Sequence, residues 1–554
     1  MKKQILTGAE SFEELVGENY FYVDKTLFIK ELLENRGKVT LITRPRRFGK
    51  TLNMDMLKCF FDINKESEAL FDGLQIMGHK DMTQKHMNKY PVVFLTLKNI
   101  EASTFEGAME KIRSLVSSVF HNNMQISESG TLNEFKLKKF NKYCAEEATD
   151  NEMETSLLFL AECLALYKKK RVIILLDEYD TPLNNALTEG YYDKMLKFMR
   201  GFMGSVFKTN DYLEFGVLTG VQRISKEGLV SSFNNPLVCG IMDNEFATSF
   251  GFTESEVMDA CEKYSMGSMF GEVKRWYDGY RFGGRDMYNP WSITGFLKRK
   301  VFEAYWVNTG SMSIFQDIYQ KGDQPLKDDI AGLMTGSPVS MQLKDGITYP
   351  TEYKKTNAFW NLLLNAGYIK PVNGARGGRF DAEIVNMEVM DMFAQYANEW
   401  FEKEQPYIAD AISKFATCLL EGDAEGVSAV LNDNLLNNPS CHDFKEENSY
   451  HMFIFGMLLA SAGSYTVYSN PESGKGRADV LLKPTDKNKP AAAIDFKHRG
   501  NDGLNLKQEA QKGLEQINEK SYVHNLKQEG YKKIYKYGIA FHKKSCELVM
   551  EVVE

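Results

Sequence analysis

Long apolar runs are missing from this 554-residue chain: the longest, such as Val172–Leu176 and Phe453–Ala460, fall far short of the bilayer. A spanning helix needs roughly 20 apolar residues, so no membrane partner is expected. No apolar h-region follows MKKQILTGAESFEEL, where two lysines precede a mixed segment with acidic residues. Secretion is therefore not expected, and the cytoplasm is the expected location. Cysteine is sparse. Cys59, Cys144, Cys163, Cys239, Cys261, Cys418, Cys441 and Cys546 form no CxxC pair and meet no His cluster at zinc-ligand spacing, so they read as reduced core thiols. No repeat of fixed period and no low-complexity tract occurs, which removes solenoids and arrays. Excess positive charge is also absent. Lys and Arg number 67 against 75 Asp and Glu, a net charge of -8, which argues against a globally basic coat for nucleic acid. From Cys441 onward, however, 17 basic residues face 15 acidic ones, leaving 50 against 60 for the rest, so the tail is the better polyanion-binding candidate.

What is present is the composition of a folded soluble protein, 43% apolar and 26% charged, in a chain long enough for two or three domains. In the first half, short runs rich in β-branched residues alternate with helical patterns: KVTLIT, PVVFLTL, RVIILLD and FGVLTG. That alternation predicts an α/β fold with a parallel sheet, and the lack of in/out alternation in VIILL predicts central strands covered on both faces. Beyond about residue 250, helices interrupted by WYDGYRFGG and YNPWSI predict a smaller helical lid or linker, residues 251–440. The polar stretch LNDNLLNNPSCHD marks the start of a last domain, 441–554.

The strand Val39–Thr43 runs into RPRRFGKT, residues 44–51, and then into a helical pattern with Leu52, Met56 and Phe60 on one face. Strand, phosphate loop and helix bind nucleotides because backbone N–H groups and the positive helix end meet the phosphates. Arg46, Arg47, Phe48 and Gly49 are the expected cradle, Lys50 the group for the β/γ oxygens, and Thr51 a Mg²⁺ ligand. Arg44 stands where GxxxxGK[ST] has its first glycine, so the turn at the loop entrance must be made differently. The strand RVIILLD ends in Asp177 and Glu178, suited to hold the Mg²⁺ shell and to orient or deprotonate the attacking water. After FGVLTG, Thr219 is placed to sense the γ-phosphate and Arg223 to neutralise charge in the transition state; an acidic strand end facing solvent and a structural ion pair are the plainer alternatives.

The blocks YFYVDKTLFIKELLE (20–34), TRPRRFGKT (43–51), LLDEYDTPL (175–183), TGVQRIS (219–225), WYDGYRFGG (276–284), YNPWSI (288–293) and YWVNTGS (305–311) resemble those of the bacterial AAA-ATPase-like family. The resemblance covers roughly residues 5–310. It implies that arginine at the first loop position belongs to the family pattern, and that a C-terminal PD-(D/E)XK nuclease domain follows. It assigns nothing to Asp24 and Lys25, for which the base side of the pocket and N-terminal packing are both open.

The tail reads αβββαβ, from ENSYHMFIFGMLLAS through YTVYS, RADVLL, AAAIDFK and an amphipathic helix with Leu506, Ala510, Leu514 and Ile517 to IYKYGIAF; this order resembles the restriction-endonuclease-like core. Alternation along AAAIDFK puts Asp495 and Lys497 on one face, opposite Ile494 and Phe496. Asp479 in the preceding strand can pair beside Asp495, and two adjacent carboxylates call for a hard cation such as Mg²⁺, with Glu447 as a further ligand. Lys497 would then polarise the nucleophilic water. Gln516 and Tyr522 are accessory candidates. Lys475, Arg477, His498 and Arg499 flank the site as phosphate contacts or plain surface. The expectation is an ATP- and Mg²⁺-dependent ATPase joined to a metal-dependent nuclease, with nucleic acid, DNA foremost, as partner and self-association open. The rivals are a nucleotide-switched binding module with a non-cleaving nuclease fold and a plain ATPase motor.

Overall fold

The computed structural model describes residues 2–208, 210–223, 236–306, 326, 329–330, 333, 338–342, 356–372, 379–393, 407–437, 454, 458, 465–469, 472–473, 476–477, 479–484, 486–498, 505–520, 522–542 and 545–554. Two compact units divide the chain, one formed by Met1–Ile318 with Met341–Phe380 and the other by Tyr319–Ser340 with Asp381–Glu554.

In the first unit the β-branched runs become strands β1 (Val39–Thr43), β2 (Val92–Thr96), β3 (Val172–Asp177), β4 (Leu213–Gly220) and β5 (Leu237–Cys239). They form one parallel sheet in the order β2-β3-β4-β1-β5. Every residue of β1 and β3 is buried, whereas β2 at the edge alternates, with Val93 and Leu95 buried between half-buried neighbours. The apolar run VIILL thus reports its place in the middle of the sheet. Each of its fully buried side chains contributes about 1.5–3 kcal/mol relative to an exposed one. Because all five strands run the same way, Thr43, Asp177 and Gly220 end at one edge of the sheet, where α/β folds bind ligands.

Residues 252–306 are less purely helical than their sequence pattern predicts. A small antiparallel sheet joins β6 (Phe252–Thr253), β8 (Arg285–Tyr288) and β7 (Tyr280–Phe282), among helices Glu254–Lys263, Phe270–Tyr277 and Pro290–Arg299. The turn between β7 and β8 is Gly283-Gly284, with φ of 53° and 76°. Two successive left-handed residues make the tight hairpin turn that suits the twist of paired strands, which is why the RFGGR segment reverses. Asn289 caps the last helix, accepting from the Trp291 N–H at 2.9 Å ahead of a proline in the first turn.

The second unit carries a mixed sheet of β9 (Tyr465–Ser469), β10 (Val480–Pro484), β11 (Ala491–His498), β12 (Ile534–His542) and β13 (Ser545–Val553), in that spatial order. Only β11 and β12 run parallel, and the helix Leu506–Glu519 supplies the crossover that a parallel pair requires. The final strand, β13, lies beyond the αβββαβ pattern legible in the sequence. Ile494 and Phe496 pack into a core with Leu419 and Leu431 of the helices Tyr407–Glu421 and Ala424–Asn437. Ala491 and Ala493 of the opposite face pack with Ile517 of the crossover helix. Contact between helix and strand is unusually close at Gly538, where an added Cβ would stand 2.1 Å from the Ala510 carbonyl oxygen. All seven cysteines among the described residues are free thiols, and six are buried. No helix among the described residues is long and apolar enough to cross a membrane.

Candidate functional site

At the sheet edge in the first unit, Gly49 adopts φ 81° and caps the helix Lys50–Phe61, turning its positive N-terminus to the loop. Thr51 Oγ1 donates to Asp177 Oδ2 at 2.7 Å, and Thr219 Oγ1 donates to Asp177 Oδ1 at 2.5 Å. Three residues separated widely in sequence therefore converge, because β4 lies between β1 and β3. Asp177 is wholly buried. Burial pushes its carboxyl above the ordinary range, against the two hydroxyl bonds. Lys50 Nζ donates to the carbonyls of Arg44 at 3.1 Å and Pro45 at 3.0 Å. Burial lowers its affinity for a proton, opposed by Glu178 first, then Asp177 and Asp180.

Glu178 sits in the left-handed region at φ 52°. For a residue with a Cβ this conformation is costly and common at working sites. Its carboxylate accepts from Thr181 Oγ1 at 3.2 Å. Arg46, Arg47, Phe48, Gly49, Lys50, Thr51 and Glu178 all line one cavity of about 390 Å³. Asp177 and Thr219 stand behind Thr51, away from its wall. Arg46 and Arg47 are exposed, the latter with its guanidinium 4.1 Å over the Trp291 ring. The Phe48 ring is buried against Tyr280 and Phe282. Arg223 is half-buried directly after Gln222 and is not among the cavity residues.

The loop turns through left-handed residues at Arg47 (φ 67°) and Gly49 (φ 81°) rather than at its first position, where Arg44 anchors the entrance through its side chain. Its guanidinium is fully buried and donates to five backbone carbonyls, those of Thr43 (2.8 Å), Cys239 (3.2 Å), Gly240 (2.8 Å), Glu245 (3.2 Å) and Phe246 (3.0 Å). It also lies over the rings of Phe250 and Phe282. Burial draws its pKa down to about 10. Asp24 and Lys25 separate in role. The Asp24 carboxylate accepts from the Thr26 N–H and hydroxyl and from the Gln75 N–H, a packing role. Lys25 lines the cavity but donates to both Glu256 oxygens, at 2.8 and 2.7 Å.

In the second unit, Val480 pairs with Ile494, so Asp479, one residue earlier, falls opposite Asp495. Asp479 Oδ2 accepts from the Phe496 N–H at 2.6 Å. Lys497 Nζ pairs with Asp495 Oδ1 and donates to the Phe496 carbonyl at 3.1 Å. Asp495 is fully buried under the crossover helix: a Cβ on Gly513 would lie 3.3 Å from its Oδ1. Gln516 Nε2 donates to the Tyr522 hydroxyl at 3.1 Å. Burial raises the Tyr522 pKa, and the Asp495 and Asp479 carboxylates raise it further, placing the phenol within their field. His498 is half-buried at the strand end. Glu447, Lys475 and Arg499 lie outside the described residues, as does the side chain of Arg477. Among the described residues, no group of three or more His, Cys, Asp and Glu is arranged to hold a metal.

Two acidic residues escaped the sequence reading. Asp180, the last residue of DEYD, is buried and bonded to the chain after β4. Glu509, one turn before Gly513, is buried and paired with Lys512 at 2.6 Å. A polar residue in an apolar-facing register was the signal for Glu509: it adjoins the Leu506, Ala510 and Leu514 stripe.

Residues 7–230 match the family model described as predicted AAA-ATPase, and residues 445–551 match that of the PD-(D/E)XK nuclease superfamily. An uncharacterized protein in the vnfD 5' region of Azotobacter chroococcum mcd 1 is 29% identical over 319 residues, which are 57% of this chain. The match spans 56% of that relative's length. The chain therefore carries an AAA-ATPase-like domain in its first half and a PD-(D/E)XK nuclease superfamily domain at its C-terminus.

Proposed function

We propose that the chain binds and hydrolyses ATP with Mg²⁺ in its first unit and that its C-terminal domain is a metal-dependent nuclease cutting nucleic acid, with DNA as substrate. The observation that supports this most is the convergence of Thr51 and Asp177, 2.7 Å apart, beside a cavity lined by Lys50 and Glu178. A hydroxyl and a carboxylate at that spacing are hard oxygen donors suited to share one Mg²⁺, which supplies neutralisation of phosphate charge. Lys50 exchanges the Arg44 and Pro45 carbonyls for phosphate oxygens, and the N–H groups from Arg46 to Gly49 cradle the phosphates. Glu178 orients the attacking water. Thr219 reads the site through Asp177, and Arg223 offsets the charge that develops on the transferring group.

The second site follows the same logic. Asp479 and Asp495 would hold a divalent cation through their hard oxygens, with Glu447 completing the set in this reading, and the chemistry such an ion would supply is activation of water. Lys497 leaves Asp495 to polarise that water. Action in the cytoplasm, without a membrane, belongs to the same proposal. The test is cleavage of plasmid, single-stranded DNA and RNA by the full chain, with and without ATP and Mg²⁺. Lys50→Ala should weaken ATP binding about ten- to a hundredfold by removing a charge-assisted contact. Asp495→Ala should lose metal binding and cleavage, whereas Lys497→Ala should lose cleavage with metal still bound. A parent chain that binds ATP but cuts nothing under any condition would make the C-terminal domain a nucleotide-switched binding module.

A further inference from the structure

The DEYD segment at the end of β3 contains two residues that the reaction just described leaves unused. Asp180 is 2% exposed. Its Oδ2 accepts from the backbone N–H groups of Val221 at 3.1 Å and Gln222 at 2.8 Å, and from Asn184 Nδ2 at 3.4 Å. Tyr179 is wholly buried, donates its hydroxyl to the Gln222 carbonyl at 2.6 Å, and donates its N–H to the Thr219 carbonyl at 3.0 Å. A Cβ on Gly220 would stand 2.6 Å from both Asp180 Oδ1 and the Tyr179 ring. The chain after β4 is thus closed onto these side chains as tightly as glycine permits. From the other side, the Arg44 N–H donates to the Gly220 carbonyl at 3.1 Å.

Glu178 and Thr181, which flank this pair in sequence, line the nucleotide cavity, whereas Tyr179 and Asp180 do not. They face the strand end instead. A buried carboxylate is an expensive acceptor for two amides unless the bonds must be strong and fixed. What they fix begins at Thr219, bonded to Asp177, and leads directly to Arg223.

We propose that Asp180, seconded by Tyr179, is a positioning residue that holds the Thr219–Arg223 segment and, through the Thr219 hydroxyl bond, the Asp177 carboxylate beside the cavity, so that turnover depends on it and nucleotide affinity does not. This rests on the ATP-hydrolysing reading above. A group displaced by about 1 Å from its working place costs about a hundredfold in rate. Asp180→Ala should therefore lower kcat about a hundredfold, with KM and the Kd of a fluorescent non-hydrolysable ATP analogue within about twofold of the parent. Asp180→Asn keeps an oxygen for both amides and should retain kcat within about fivefold. Tyr179→Phe loses one hydrogen bond and should lower kcat about three- to tenfold at constant KM.

The measurements are steady-state hydrolysis and analogue binding by the full-length chain and these variants. Parent-like kcat in Asp180→Ala overturns the proposal. So does equal loss of affinity and turnover in Asp180→Ala and Asp180→Asn, the pattern of a deformed pocket. Should Asp180→Ala fail to fold, Tyr179→Phe decides: a lower kcat at constant KM supports the positioning role, and an unchanged kcat removes it. A parent chain that neither binds nor hydrolyses ATP refutes the reading underneath, before any variant is compared.

Discussion

Replacing Arg44 by glycine would restore the usual phosphate-loop pattern, yet the structure predicts damage. The guanidinium satisfies five carbonyls at 2.8–3.2 Å in a fully buried site. Each carbonyl left without a donor costs about 1–3 kcal/mol, but water entering the vacated space recovers part of that, and the desolvation of the cation is no longer incurred. Removing one side of a buried charged network costs about 3–5 kcal/mol on balance. At about 2–4 °C per kcal/mol for a large domain, Arg44→Gly should lower the melting temperature of the first unit by about 6–20 °C. Arg44→Lys keeps the charge but offers three donors from a single atom, so it should fall between glycine and the parent. The assay is a calorimetric melt of the full chain, paired with titration of a fluorescent ATP analogue. A glycine variant that melts with the parent and binds the analogue as well or better would show that the arginine is a replaceable loop residue.

Asp177→Asn should stabilise the nucleotide-free chain at neutral pH, because burial raises the native carboxyl pKa. The native state then holds its proton more tightly than the unfolded state, so the parent loses stability as pH rises from the unfolded value of 3.8 through the raised native one. Melts from pH 4 to 8 should show the variant's advantage growing with pH, and a constant difference would refute the cause assigned. Glu178→Gln should bind ATP with hydrolysis suppressed; turnover at the parent rate would remove Glu178 as the water-orienting group. Gly538→Ala forces a methyl to 2.1 Å from the Ala510 carbonyl, overpacking worth about 3 kcal/mol. The second unit's melting transition should drop by about 6–12 °C, and an unshifted transition would contradict the close helix–strand contact.

The parallel sheet was legible because central strands bury both faces, which leaves runs such as VIILL without polar interruption. The pairing of Asp479 with Asp495 was legible because alternation and a short connection leave few registers. Other features arise between residues too distant for any local pattern to join. Arg44 finds its acceptors near residues 239–246, and Asp180 finds its amides across β4. The β6–β8 sheet escaped because its strands are only two to four residues long, too short for period-two alternation to show. The strand β13 alternates poorly, with Leu548, Val549 and Met550 all half-buried at a sheet edge, and so left no clear signature.

The carbonyls gripped by Arg44 on its far side lie 195 to 202 residues downstream. During synthesis at about 5–20 residues per second, the loop therefore waits roughly 10–40 s for its anchor to leave the ribosome. Until then only one of its five carbonyl acceptors, that of Thr43, has been made. The AAA-ATPase match ends at residue 230, before β5 and before every one of those four downstream acceptors. A fragment cut at that boundary would contain the complete GKT loop with Asp177 and Glu178, yet lack the carbonyls on which the loop's entrance is anchored.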